Sequence, residues 1–227
     1  MTPIDETTHI ATTPPADDAA RRRKKTYFAL ALGGIAGFLG AMGVLRLMDS
    51  GVLGAISVSQ ELAGLVALIY CLTGFAVLFG LAAPNAGATF LNVEDADELR
   101  EQKSMLLGSG IGMVAMAAAL MIAALGGPEG IIAPVPALTA YVVLMLVCVW
   151  ASVSSWRKQD ELMRAIGSQT GALAFYLTAL IGGSWALLGH LGLAAGPAPL
   201  DWLTMLWAFV LLAAFIAAGR RGMLAMR

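Results

Sequence analysis

Residues 21–45 read RRRKKTYFALALGGIAGFLGAMGVL: five consecutive basic side chains, then twenty residues without a charge. A bilayer core is about 30 Å thick and a helix rises about 1.5 Å per residue, so a run of this length is one membrane crossing. A secretory signal would place its apolar core close behind a short basic start and end it in small residues, whereas here the basic run comes late. The stretch therefore reads as a retained anchor.

The pattern recurs along the chain. Apolar stretches at residues 26–45, 61–83, 105–126, 131–154, 170–191 and 201–219 predict six spans, and 59% of the 227 residues are hydrophobic against 13% charged. Lipid is the expected solvent for such a composition. The fold class that follows is an all-α membrane protein, six transmembrane helices arranged as three helical hairpins. Ahead of them, residues 1–25 are expected to form a disordered tail ending in the basic run, since Pro3, Pro14, Pro15, several Thr and four acids give little to pack. Residues 220–227 form a short basic tail.

Charge sets the orientation. With the N-terminus inside, thirteen of the fourteen Lys and Arg residues fall on the cytoplasmic side, and only Arg46 lies outside. Short loops rich in Lys and Arg resist translocation, which predicts both termini in the cytoplasm. The opposite connections, 46–60, Gly126 to Gly130 and Gly192 to Leu200, read as simple hairpin turns. Pro134 and Pro136 mark a helix start, where a missing N–H costs little.

Asp97, Glu98, Leu99, Arg100 precede span three, and Asp160, Glu161, Leu162, Met163, Arg164 precede span five, an offset of 63 residues. Spans three and four therefore read as a parallel duplicate of spans five and six. The later segment also carries a resemblance. Over about residues 131–227 the chain resembles a group of small, functionally uncharacterised bacterial multi-pass inner-membrane proteins with an Asp-Glu-Leu-x-Arg-Arg-Ile type segment between two helices and Arg residues closing the last one. Asp160, Glu161, Leu162, Arg164, Ile166, Arg220 and Arg221 carry it, and Ala165 departs from the second Arg. The resemblance implies a bacterial cytoplasmic membrane and no particular reaction.

Candidate sites are few. The acidic pairs with their arginines, Asp97, Glu98, Arg100, Asp160, Glu161 and Arg164, form a candidate cytoplasmic docking surface. Carboxylates in a first helical turn also neutralise the macrodipole and cap free N–H groups, and Asp160 with Arg164 has ion-pair spacing, so local stabilisation is the stronger reading. Gly33, Gly37, Gly40 and Gly43 lie near one face of span one. Small residues let helices approach closely in lipid, which predicts a contact within the bundle, with homodimerisation as the alternative. Glu61 and His190 lie at outer span ends, where solvation at the headgroups is the stronger reading; they are a candidate periplasmic polar cluster, and His190 would be a proton or metal site only if Glu61, Asp49 or Asp201 converged on it. Tyr70, Thr73, Tyr141, Thr178, Ser184 and Trp185 supply the remaining span polarity, read as packing and bonds to their own helices.

No charged side chain falls mid-span and no catalytic set, cofactor fingerprint or metal-ligand spacing is present in the sequence. Cys71 and Cys148 should differ in depth by about 10 Å, too far for a disulfide. The formal net charge of −1 argues against nucleic acid as a partner. No catalytic, cofactor or metal site is expected. The expectation is a non-enzymatic scaffold, accessory subunit or assembly factor whose partners are the bilayer and a membrane protein or second copy. A transporter or channel for a neutral or amphipathic solute is the alternative.

Overall fold

A computed structural model of the chain describes residues 16–85, 87 and 96–223. It is helical, with six helices long and apolar enough to cross a membrane. The elements are α1 (Ala16–Asp49), α2 (Val58–Ala82), the short α3 (Ala96–Glu101), α4 (Lys103–Leu125), α5 (Pro134–Trp156), α6 (Glu161–Leu177), a π-helical segment (Thr178–Gly182), α7 (Gly183–His190) and α8 (Pro199–Arg220). The expected tail up to residue 15 lies outside the described residues. Residues 16–25 are helical rather than irregular, because their alanines, arginines and lysines are good helix formers.

Hydropathy located each span to within a few residues but undershot two helices. The fifth begins at Glu161, nine residues before its apolar stretch, because Asp160 caps it there: Asp160 Oδ1 accepts from the Met163 N–H at 2.7 Å. The first carries Arg46 and Asp49 inside its last turn rather than beyond it. Apolar length measures the hydrocarbon crossing, and the caps decide where the helix stops.

The packed centre is α2 against α4 and α4 against α5. Three glycines of α4 divide the labour. Gly108 and Gly112 are one turn apart and face α5, where a Cβ on Gly108 would collide with Ser155 Oγ and one on Gly112 would rest 3.6 Å from Ala151 Cβ. Gly110 points the other way, into α2. A Cβ on Gly74 of α2 would lie 3.1 Å from the Gly110 carbonyl oxygen, so these two helices meet backbone to backbone. Around the crossings lie two apolar clusters: Tyr70, Ala115, Met116, Ala117 and Cys148, and Ala63, Ala67, Leu120 and Ala124.

Polar side chains tie the ends. Ser57 and Gln60 form a capping box at the start of α2: Gln60 Oε1 accepts from the Ser57 N–H at 2.8 Å, and Ser57 Oγ accepts from the Gln60 N–H at 3.4 Å. The same Gln60 amide donates to the Ala124 carbonyl at 2.6 Å, occupying an oxygen that the end of α4 leaves without a helical donor. Pro134 opens α5 as expected.

The hairpin of α6, the π segment and α7 with α8 is closed by its own contacts. A Cβ on Gly182 would meet the Trp202 ring at 2.9 Å, Trp185 Nε1 donates to the Ala195 carbonyl at 2.7 Å, and Arg221 donates to Gln169 Oε1 at 3.1 Å. It joins the centre through α8 against α2. There the Tyr70 hydroxyl donates to the Trp207 carbonyl at 2.8 Å.

Candidate functional site

A crevice of about 500 Å³ opens where α8 leaves the packed centre. α5 packs on α4 and α8 on α6 and α2, leaving a gap between α5 and α8 that small residues widen. Its deep end is formed by Tyr70, Met116, Met145 and Trp207, and its other end by Ser109, Ser152, Ser155, Trp156 and Gln159. That second end lies beside the basic residues Lys103, Arg157 and Lys158, which are exposed and do not line the crevice.

The walls are chiefly apolar, and the lining contains no charged side chain. Ser109 and Ser155 turn their hydroxyls onto the Met105 carbonyl, at 3.2 and 3.5 Å, and Cys148 Sγ donates to the Gly112 carbonyl at 3.4 Å. Ser152 is exposed. Among the described residues two buried side-chain polar atoms make no hydrogen bond of good geometry: Gln159 Oε1 at the polar end and Trp207 Nε1 at the deep end. Tyr141 lies close enough to interact with the Trp207 indole without completing such a bond. A buried polar atom without a partner costs about 1 to 3 kcal/mol, so Gln159 Oε1 marks a place where an incoming group would gain.

The other residues singled out by sequence are placed as follows. Asp97 pairs with Arg100 at 2.5 Å on α3, which a break at Gln102 separates from α4. Asp160 is spent as the α6 cap, and among the described residues no ion pair joins it to Arg164. The two acidic segments thus differ locally: one caps a long helix, the other forms a six-residue helix of its own. Glu161 and Arg164 are exposed, and the Glu98 side chain lies outside the described residues.

The glycine stripe does not make the expected bundle contact. Positions 33, 37 and 43 face open space, and only Gly40 meets a neighbour, Leu68, at 3.1 Å. The reason is that α1 touches α2 near its end, through Val44 and Met48 against Gly64, and then diverges. The wedge between them is an apolar groove of about 510 Å³ lined by Leu32, Gly33, Ala36, Leu72, Phe75, Ala76 and Phe79.

Glu61 and His190 do not converge, since α2 and α7 do not pack together, and Asp201 is occupied in accepting from the Ala198 N–H at 2.7 Å. Among the described residues no three His, Cys, Asp or Glu side chains stand close enough to share a metal. Thr73 and Thr178 bond carbonyls of their own helices, at 2.7 and 2.8 Å, as read from sequence. Tyr70 differs, bridging two helices.

Sequence reasoning does not single out Ser152, Gln159 or the methionines of the crevice. A local signal existed in Ser152, Ser154 and Ser155, a polar turn closing an otherwise apolar helix. No protein-family model, curated protein or solved structure matches the chain.

Proposed function

We propose that this is a non-enzymatic assembly protein of the bacterial cytoplasmic membrane, a scaffold or accessory subunit with both termini in the cytoplasm, that uses α1 to hold a membrane-protein partner or a second copy of itself. One observation carries this reading. None of the apolar window of α1 is buried, whereas the other five spans bury 11 to 33% of theirs. Helix association in lipid draws on close packing of small residues, and the face bearing Gly33, Gly37 and Gly43 is both small and unoccupied. The clustering of Lys and Arg supports the orientation. The resemblance over residues 131–227 supports the bacterial setting.

The apolar packing between α2, α4 and α5 favours assembly over passage of an ion. Extraction in mild detergent followed by native mass analysis tests the proposal: the full chain should carry a second copy or a membrane-protein partner. Gly37→Leu, placed where nothing lies within 4 Å, should release that partner while leaving the fold intact. A monomer in both forms, with reporters placing the termini on opposite sides, would refute it.

A further inference from the structure

The crevice between α4, α5 and α8 calls for an occupant of particular chemistry. From Trp156 to Met145 along α5 it extends about 16 Å at helical rise, close to half of the roughly 30 Å hydrocarbon core. Its length is therefore that of one leaflet. The inner wall presents Met113, Met116 and Met145, whose unbranched, polarizable side chains adapt to a flexible chain.

The polar end narrows the class. Only neutral groups line it, the serine hydroxyls and the Gln159 amide, and Gln159 Oε1 lacks a hydrogen-bond partner. A hydroxyl supplies the missing partner after the amide rotates into the crevice, because it both donates and accepts. The lining holds no cation for a phosphate or carboxylate to pair with. The neighbouring cations Lys103, Arg157 and Lys158 are exposed and do not line the crevice. Along its side the crevice is lipped by Val149 and Val153, exposed apolar residues that a hydrocarbon chain can cross without desolvating a polar group.

We propose that this crevice binds a single-chain amphiphile with an uncharged, hydroxyl-bearing head, the class of a monoacylglycerol. The chain runs along Met113, Met116 and Met145 toward Trp207, and the head is held at Ser152 and Gln159. The site is independent of α1, so it stands or falls apart from the assembly reading.

The test uses the full chain in phosphatidylcholine nanodiscs with a monoacylglycerol carrying a photoreactive group on its chain, and adducts are mapped by mass spectrometry. Labelling should fall on the crevice methionines, compete with unlabelled monoacylglycerol, and be lost in Ser152→Trp, whose ring fills the opening from an exposed position. In Gln159→Leu the competition should weaken about five- to tenfold, the worth of one hydrogen bond. Unchanged thermal midpoints and monodisperse elution establish that the variants fold. If Ser152→Trp fails that check, Val149→Trp at the exposed lip carries the same expectation. Labelling that persists with the opening filled, that spreads equally over the α1–α2 groove, or that an anionic phospholipid displaces as well as the neutral compound overturns the proposal.

Discussion

Gln60→Ala is the substitution that best tests how the bundle is tied together. One side chain serves two helices: its Oε1 completes the Ser57 capping box, and its Nε2 donates at 2.6 Å to the Ala124 carbonyl of α4. A lost N-cap interaction costs about 1 kcal/mol. Interhelical side-chain bonds in membrane proteins average about 0.6 kcal/mol and reach about 1.7. Removing the amide should therefore destabilise the protein by about 1 to 2.5 kcal/mol.

Two companions separate the contributions. Ser57→Ala removes the serine half of the box and leaves the link to Ala124, so it should cost about 1 kcal/mol. Gln60→Glu keeps an acceptor for the Ser57 N–H but aims a carboxylate at a carbonyl oxygen, losing the link alone. Unfolding of detergent-solubilised protein by titrated SDS, followed by circular dichroism, gives the three differences. Equal costs for Gln60→Ala and Ser57→Ala would show that the bond to Ala124 contributes nothing and that α2 and α4 are held by glycine packing alone.

Tyr70→Phe removes the 2.8 Å bond to the Trp207 carbonyl and should cost about 0.6 kcal/mol, read in the same titration, with faster hydrogen exchange concentrated in α8. Gly74→Ala forces a Cβ to within 3.1 Å of the Gly110 carbonyl oxygen, where backbone cannot yield, and should destabilise by about 1 to 3 kcal/mol. Gly37→Ala, with nothing within 4 Å, should be neutral or slightly stabilising to the monomer in that titration, and a cost equal to that of Gly74→Ala would contradict the placement of α1. Asp160→Ala deletes the cap of α6 and should cost about 1 kcal/mol, with loss of exchange protection confined to its first turn.

What could be read from sequence and what could not divide along physical lines. Span number and position follow from hydrocarbon thickness, a local property, so 105–126 and 201–219 lie within a residue or two of Lys103–Leu125 and Pro199–Arg220. Glycine spacing is also local, but it does not say what a glycine faces. Gly108 and Gly112 find α5 because α4 lies between two helices, while Gly33, Gly37 and Gly43 find nothing because α1 lies outside the bundle. The Ser57–Gln60 box is a local pattern, Ser-x-x-Gln ahead of an apolar run, that reading 46–60 as a simple turn passed over, and the reach of that glutamine to Ala124, 64 residues away, is not local at all. The crevice is a consequence of where α5 and α8 fail to meet. No single stretch encodes it.

The crevice beside α8 and the groove beside α1 share a cause. α8 enters the centre through Leu200, Leu203, Trp207 and Leu211, chiefly in its first half, and α1 touches α2 through Val44 and Met48, near its end. Both attachments lie away from the end of the bundle that carries Arg100, Lys103, Arg157 and Arg164. At that attached end the capping bonds of Ser57, Gln60 and Asp201 hold the turns. Toward the basic end each peripheral helix leaves the centre, one opening the groove beside Gly33 and the other the crevice beside Ser152. The Gly74–Gly110 crossing keeps the centre closed between them. Splaying therefore follows from fastening the peripheral helices at one end of a core that glycines hold together, and it leaves apolar space on the outside of the bundle, where lipid or a partner helix can fill it.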